Sequence, residues 1–461
     1  MSADRMILGQ GTNAVFSMDS QETGLNSNVI VAASSGCGKT LSIMEPRLIE
    51  THHSSLIVTV SKRRIVEKYT DMFRSRGYEV LDLNFVQPEK STIAYDPMEY
   101  IKDSGDITFL ASALVKSNPR KACTTADPFW DDISISLLSA LIALVQKDIF
   151  KPTFADVLEL NDLLTIKEDG DCISTSLDSR FDELARRDPH SFAVTSWNSF
   201  KNLPIKTANC VYGTLNTTLD KIFTPQLRRM IADKKKIAFE RLASRKTVLF
   251  VSTSAVNPSL SAYVNIFYAQ MFKQLFEYAE SLPEGRLPIP VGVLCDDFAV
   301  GSRIQNFPEY ISIFREKQIS VTILLQSESQ LESMYGSEDA VTIIDNCDSY
   351  VYMGGMNLKT CRSISERLNI PLEDVLYMPL GQEIIFRRGQ RPIITQRYDI
   401  FSNSEYQRIT QAYEEKMHRM KQEASDKPRT TRVSFGVKAD HDADSAERLA
   451  DYLKLKEQIS A

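Results

Sequence analysis

The chain has 461 residues, of which 43% are hydrophobic and 25% are charged, and its formal net charge at pH 7 is −6. This length predicts two or three domains, and the negative balance excludes a general attraction to nucleic acid, so a nucleic-acid surface must be local or built by assembled subunits. The seven cysteines include no CxxC pair, which argues against a disulfide framework or a zinc site and fits a reducing cytosol. No signal peptide is evident, and the longest apolar stretch, residues 133–145, is too short for a membrane span and predicts a buried helix.

The first motif along the chain is the segment of residues 28–40, which reads NVIVAASSGCGKT. An apolar run, a loop of small residues and a helical pattern follow one another, which is the strand–loop–helix context of a phosphate-binding P-loop. Small residues let successive backbone N–H groups face an anion, and the next helix directs its positive end to the same point. Lys39 is expected to reach the β- and γ-phosphates, and the Thr40 hydroxyl to bind Mg²⁺. The predicted nucleotide-binding residues are Ser34, Ser35, Gly36, Cys37, Gly38, Lys39 and Thr40.

Short β-branched runs alternate with helical patterns along most of the chain. Near-continuous apolar runs of this kind indicate a parallel sheet covered on both faces, with the ligand site at the carboxyl ends of its strands. The sequence therefore predicts a doubly wound α/β fold. The predicted strands are Val29–Ala32, Leu56–Val60, Glu79–Leu83, Thr247–Ser252, Val291–Cys295, Ser320–Leu325, Ser349–Met353 and Glu383–Phe386.

Residues 103–206 interrupt this alternation, because their patterns are helical and contain no convincing strand. We predict an all-α insertion there, which divides the nucleotide-binding domain into residues 1–102 and 207–401. Helices are expected to continue through residues 207–222. Residues 402–461 are predicted to form a polar tail, with a helix over residues 405–424, a charged flexible stretch to residue 445 and a short amphipathic helix after it.

An acidic pair, Asp296 and Asp297, ends the predicted strand Val291–Cys295. Asp296 is expected to lie beside the P-loop and to hold Mg²⁺ through water. Asp297 takes the position where many P-loop ATPases carry a glutamate that orients the attacking water, and its side chain is one methylene shorter. A strand-end turn rich in acids is the alternative interpretation of this pair.

Two further residues are candidates for the nucleotide site, and for each an ordinary structural role is the alternative. Gln326 ends the next strand and is a candidate sensor of the γ-phosphate, or an ordinary polar strand end. Arg315 ends a helix and is a candidate to act on the phosphate of a neighbouring subunit, since a guanidinium matches phosphate oxygens; the alternative is a solvated helix terminus. The densest basic region, residues 228–246, either contacts DNA phosphates or forms a solvated helix face.

Taken together, these motifs resemble those of the conjugative coupling ATPases of type IV secretion systems, the TraG/TraD-like proteins. The resemblance covers roughly residues 28–398. Besides the P-loop it involves AYDPMEYI at residues 94–101, DPFW at 127–130, FDELARRDP at 181–189, CDDFA at 295–299, ISVTILLQSESQL at 319–331, NCD at 346–348 and Gly354-Gly355.

The resemblance implies a hexameric motor with a RecA-like P-loop domain that binds ATP and Mg²⁺ and hydrolyses ATP between subunits. Such proteins recruit relaxase-bound single-stranded DNA to a secretion channel, and their helical insertion contacts DNA or relaxosome proteins in the cytoplasm. By motif match, the catalytic residues are Lys39, Asp297, Gln326 and Arg315, and the metal ligands are Thr40 and Asp296. The family's usual N-terminal transmembrane helices are not seen, which implies either a separate membrane-anchor protein or an anchor upstream of this sequence.

Two departures from the family pattern predict slower hydrolysis. Val60-Ser61-Lys62 stands where Asp-Pro-Lys is usual, and Asp297 replaces glutamate. They leave a second hypothesis open, a nucleotide-binding adaptor that recruits substrates to the channel with little hydrolysis. A third, a DNA pump of the HerA/FtsK type, is disfavoured by the DPFW motif and the large insertion.

Overall fold

A nine-stranded sheet organises the computed structural model, which describes residues 4–116, 128–169, 172–254, 259–296, 298 and 303–426. The strands are β1 Arg5–Ile7, β2 Val15–Ser17, β3 Val29–Ala32, β4 Ser55–Val60, β5 Glu79–Asn84, β6 Ile166–Asp169, β7 Cys172–Thr175, β8 Thr247–Ser252, β9 Val291–Cys295, β10 Ile319–Leu325, β11 Ser349–Tyr352, β12 Gln382–Arg387 and β13 Ile393–Gln396.

The α-helices surround this sheet and fill the long segment between β5 and β8. They are α1 Ser20–Thr23, α2 Glu45–Ile49, α3 Arg63–Ser75, α4 Ser104–Lys116, α5 Pro128–Asp148, α6 Phe154–Asp162, α7 Asp178–Arg187, α8 Phe192–Lys201, α9 Ile205–Ile222, α10 Pro225–Asp233, α11 Glu240–Ser244, α12 Ser259–Ser281, α13 Phe307–Lys317, α14 Glu328–Tyr335, α15 Ser337–Asp345, α16 Leu358–Leu368, α17 Leu372–Leu376 and α18 Ser404–Asp426.

The strand order in the large sheet is β13-β12-β11-β3-β10-β9-β4-β8-β5. The seven strands from β11 to β5 are parallel, and β12 and β13 extend the sheet in antiparallel pairing. All eight strands predicted from the sequence belong to it, so the doubly wound α/β prediction is confirmed. The unpredicted β13 completes the edge.

Two apolar cores cover the two faces of this sheet. Along β3, Ile30 and Ala32 belong to one core and Val29 and Val31 to the other, and all four are almost fully buried. Because successive side chains of a strand point to opposite faces, this alternation shows that helices cover both faces.

The insertion between β5 and β8 is largely helical but contains the antiparallel hairpin β6–β7. This hairpin corrects the expectation that no strand occurs between residues 103 and 206. By length and composition, α5 is apolar enough to cross a membrane, yet ten of its residues are buried and it packs against α4 and α8. It is the core helix of the insertion, as the apolar run at residues 133–145 predicted.

Asp96 connects the insertion to the sheet. Its carboxylate accepts the backbone N–H of Met98 at 3.0 Å and that of Phe154, the first residue of α6, at 3.2 Å. Burial raises the pKa of Asp96 to about 6. The adjacent Tyr95 hydroxyl donates to Gln270 of α12 at 2.5 Å, so this motif ties together segments far apart in sequence.

Residues up to Thr410 form one compact unit, and a second begins at Gln411 and is described as far as Asp426. The polar helix predicted over residues 405–424 is present as α18. The predicted stretches beyond it lie outside the described residues. The domain boundaries at residues 102, 206 and 401 stay predictions.

Candidate nucleotide-binding site

The P-loop leaves the sheet at the carboxyl end of β3, between β10 and β11. The chain continues from β3 to β4 on one side of this strand, while β11 lies on the other. Such a change of direction in a parallel sheet opens a crevice at the carboxyl ends of the strands, where ligands of α/β proteins bind. The sheet therefore places residues 33–40 at its natural ligand site.

Two glycines give the P-loop its shape. Gly36 and Gly38 have φ values of +79° and +83°, which residues with a side chain rarely adopt. A Cβ at Gly36 would have no atom within 4 Å, so the backbone conformation and not a lack of space favours glycine there. The loop is held from β11, because the Ser34 N–H donates to the Gly354 carbonyl at 3.1 Å. This contact gives the Gly354-Gly355 motif a structural role, since a Cβ at Gly355 would lie 3.0 Å from the Ser34 hydroxyl.

Lys39 lies across this loop, and its ammonium donates to the Ala33 carbonyl at 2.6 Å. The helix that follows starts with a π-helical turn, Thr40–Met44, and continues as α2. Pro46 lies in the first turn of α2 and has no N–H to donate, and a wider turn ahead of a proline relieves its clash with the preceding carbonyls. The structure thus places Thr40 at the first turn above the loop.

Asp296 directly follows β9, which is two strands away from β3 across β10. In the register Cys295 lies opposite Ile323 of β10, and Ile323 lies opposite Ile30 of β3. Asp296 therefore lies roughly 10 Å from the P-loop strand along the same carboxyl edge. Burial raises the pKa of the neighbouring Cys295 thiol to about 12, so this cysteine is neutral. Asp297 lies outside the described residues.

Thr40 and Asp296 supply a hydroxyl and a carboxylate oxygen at one edge of the sheet. Hard oxygen donors of this kind suit Mg²⁺, which usually takes one or two carboxylates and completes its shell with water and phosphate. Among the described residues, no group of three or more His, Cys, Asp or Glu side chains is arranged to hold a metal ion. The donor set thus fits Mg²⁺ bound together with phosphate.

A cavity lies beside Asp296 at the carboxyl ends of β4, β8 and β9. Thr59, Ser61 and Thr253 line it with hydroxyl groups, and Tyr268 of α12 closes it. Ser61 occupies the middle of the Val60-Ser61-Lys62 departure. Residues with hydroxyl side chains therefore lie in the same cavity as Asp296, at the position where the family that the sequence resembles usually has Asp-Pro.

The other two predicted site residues, Gln326 and Arg315, lie at opposite edges of the sheet. Gln326 follows β10 at the carboxyl edge, where its side chain is exposed and its N–H donates to Gln330 at 3.0 Å. Arg315 is exposed near the end of α13 and lines a cavity with Pro290 and Ser320, which precede or begin β9 and β10. Gln326 thus lies near the P-loop, whereas Arg315 lies at the opposite edge of the sheet.

Sequence reasoning missed two charged residues behind the loop. Arg397 follows β13, and its Nη1 lies 3.7 Å from where a Cβ of Gly38 would be. Glu383 of β12 is fully buried, and both its carboxylate oxygens lack hydrogen-bond partners. Burial raises the Glu383 pKa to about 8, although the Arg397 charge lowers it. Arg397 reaches this edge through the short strand β13, which pairs with β12 and was not predicted from the sequence.

The basic region of residues 228–246 is largely engaged within the fold. Arg228 pairs with Asp162 at 2.9 Å and Asp220 at 3.1 Å. The Lys234 ammonium donates to three backbone carbonyls of residues 88–91, and Arg241 pairs with Glu79 at 2.8 Å. These contacts favour the structural interpretation of this region over a DNA-binding one.

Comparison with known families now places the chain. The model of the family described as type IV secretory system conjugative DNA transfer matches residues 4–369. The chain belongs to this family. The match contains the P-loop, the helical insertion and Asp296, and it ends before β12 and β13. No curated protein sequence matches the chain significantly.

Solved structures of the coupling protein TrwB and of VirB4 have a fold similar to that of this chain. The bacterial conjugative coupling protein TrwB in complex with sulphate has a TM-score of 0.62 at 15% identity, covering 86% of this chain and 91% of that one. TrwB with the ATP analogue ADPNP gives 0.57 at 15% identity, covering 81% and 85%. VirB4 of Thermoanaerobacter pseudethanolicus gives 0.50 at 13% identity, covering 86% and 97%. The RecA-like fold with a helical insertion is thereby confirmed.

Proposed function

We propose that this chain is a type IV coupling ATPase, which binds and hydrolyses ATP and uses the energy to pass relaxase-bound single-stranded DNA, or a protein substrate, to a conjugative secretion channel. One observation carries the proposal. A P-loop and Asp296 lie along the same carboxyl edge of the sheet in a chain of the conjugative DNA transfer family.

ATP with Mg²⁺ is the proposed ligand of this edge. TrwB has been solved with ADPNP and also with ADP and Mg²⁺. In this chain the amides of residues 34–40 and the Lys39 ammonium would hold the phosphates, and Thr40 and Asp296 would hold the ion. When bound, Mg²⁺ neutralises charge on the phosphate oxygens. Asp297 is the proposed residue that orients water, and Gln326 the proposed sensor.

Hydrolysis is proposed to need a second subunit. Arg315 lies at the sheet edge opposite to the P-loop of its own chain, so it can reach only phosphates bound by a neighbouring chain. A contact that joins opposite edges of two copies is head-to-tail, and such contacts form a ring when the rotation between neighbouring copies closes. This arrangement supports the proposed hexamer.

The further partners follow from the same proposal. Residues 103–206 would contact the DNA or the relaxosome, as in the family that the sequence resembles. The chain would act at the cytoplasmic face of the membrane, beside the secretion channel and held there by a membrane-anchor protein. Binding of a purified relaxase to the wild-type chain, and its loss when exposed insertion residues are changed, tests this placement.

A nucleotide-dependent adaptor with little hydrolysis is the second candidate. It is favoured by the hydroxyl-lined cavity beside Asp296, where Ser61 and Thr59 stand. ATP turnover with and without single-stranded DNA separates the two. A motor shows turnover that rises with DNA and disappears in Lys39→Ala. An adaptor binds ATP without turnover, and Asp297→Glu then raises its rate.

A further inference from the structure

Arg397 is fixed at the carboxyl edge of the sheet by its backbone. It follows β13, which runs parallel to β11 because both pair antiparallel with β12. Its N–H donates to the Gly381 carbonyl at 2.8 Å. The Cα of Arg397 therefore lies at the same edge of the sheet as the P-loop.

The Arg397 guanidinium extends from there toward the loop. Its Nη2 donates to the carbonyl of Met353, which follows β11, at 3.3 Å. Its Nη1 lies 3.7 Å from the Cβ position of Gly38, and its Nε is buried without a hydrogen-bond partner. A guanidinium has five N–H donors in a planar fork that matches phosphate oxygens. Donor capacity therefore remains beside a loop that is shaped for phosphate.

The approach of Arg397 is from the side opposite to Asp296. β13 lies beyond β11 and β12 on one side of β3, while β9 lies beyond β10 on the other. In a P-loop the backbone amides face the α- and β-phosphates, and the lysine reaches the β- and γ-phosphates. Gly38 is part of the amide loop, so a group beside it on the far side from Asp296 faces the α- and β-phosphates.

We propose that Arg397 is a nucleotide-binding residue that contacts the α- and β-phosphates of a nucleotide held by the P-loop of the same chain. The inference rests on the proposed function and deepens it, because Arg397 lies beyond the residues that the family model matches. It also gives the two arginines different roles. Arg397 binds nucleotide in its own chain, whereas Arg315 serves hydrolysis in a neighbour.

This assignment predicts uniform binding of di- and triphosphates. A contact made equally before and during the reaction changes KM and leaves kcat unchanged. Isothermal titration calorimetry with Mg²⁺ and either ADP or ADPNP measures the affinity for each nucleotide. Arg397→Ala should weaken both ligands by the same factor, about 10- to 100-fold for a lost hydrogen bond between charged groups. Arg397→Lys, which keeps the charge and loses the fork, should lie in between.

Arg391 offers a matched control, since it is an exposed arginine in the turn that joins β12 to β13 at the opposite edge. Arg391→Ala should bind both nucleotides like the wild type. Unchanged affinity in Arg397→Ala, or a loss confined to ADPNP, would overturn the inference. An equal loss of adenosine binding, which involves no phosphate, would also overturn it and assign a structural role. Failure of the wild-type protein to bind either nucleotide would overturn the proposed function itself.

Discussion

The buried carboxyl of Glu383 predicts a pH dependence of stability that one substitution removes. The side chain is fully buried, and burial raises its pKa to about 8 from an ordinary value of 4.5. Between these values the folded protein keeps a proton that the unfolded chain releases, so the free energy of unfolding falls as pH rises. The slope is about 1.4 kcal/mol per pH unit, which gives a fall of roughly 3 kcal/mol from pH 5 to pH 7.5.

Glu383→Gln replaces the protonated carboxyl with a neutral group of the same shape. Relative to the wild type, this variant should gain roughly 3 kcal/mol between pH 5 and pH 7.5, because only the wild type loses the contribution of Glu383 there, whereas other groups such as Asp96 titrate in both proteins. Urea unfolding at constant ionic strength over this range measures both curves. Glu366→Gln, which removes an exposed carboxyl from α16, is the control. Parallel curves for Glu383→Gln and wild type would refute the reasoning.

Three further substitutions test other parts of the account. Asp96→Ala should lower the free energy of unfolding by about 2 kcal/mol, since it removes the acceptor of the Phe154 N–H and a helix cap. Asp96→Asn keeps an acceptor and should cost less than half of this. Equal losses for the two variants in urea unfolding would contradict the capping role. Lys68→Ala should lower the free energy of unfolding by about 3 kcal/mol or more, because it removes the ammonium 3.0 Å from the buried Glu45 carboxylate and leaves a charge that the Tyr69 hydroxyl hydrogen-bonds but does not neutralise. Adding Glu45→Gln should restore part of that loss, and no recovery in the double variant would argue against an unneutralised buried charge. Arg315→Ala should lower kcat by about 100-fold or more with ATP affinity unchanged, and a rise in KM at constant kcat would exclude a role in hydrolysis.

The parallel sheet could be predicted because buried strands leave a strong signal. All six residues of β4 are buried, so the run SLIVTV is apolar almost throughout and stands out from the polar turns around it. The P-loop and Asp296 were equally evident, since both follow such runs directly. Motif and strand together predict this edge of the candidate site.

The short strands could not be predicted, because pairing partners hold them rather than their own composition. β6 reads IKED and β7 reads CIST, so neither has an apolar run. Contacts of the flanking residues close this hairpin, as the Thr165 N–H donates to the Ser176 hydroxyl at 3.0 Å. β13 likewise exists through its ladder with β12.

The charges behind the P-loop had no local signal at all. Glu383 lies in the run QEIIFR, where one acid in a strand suggests a solvated face rather than a buried carboxyl. Only the tertiary fold places it against Gly9, where a Cβ would collide with its carboxylate. Arg397 lies more than 350 residues after Gly38 and meets it only because β13 completes the sheet edge.

The claim that ATP hydrolysis by this chain moves DNA can be tested most directly by translocation on single-stranded DNA. The assay follows displacement of streptavidin from a biotinylated DNA end by the purified protein with Mg²⁺. The account predicts displacement with ATP, none with ADPNP and none for Lys39→Ala. DNA-stimulated turnover without displacement, or displacement that persists in Lys39→Ala, would contradict it.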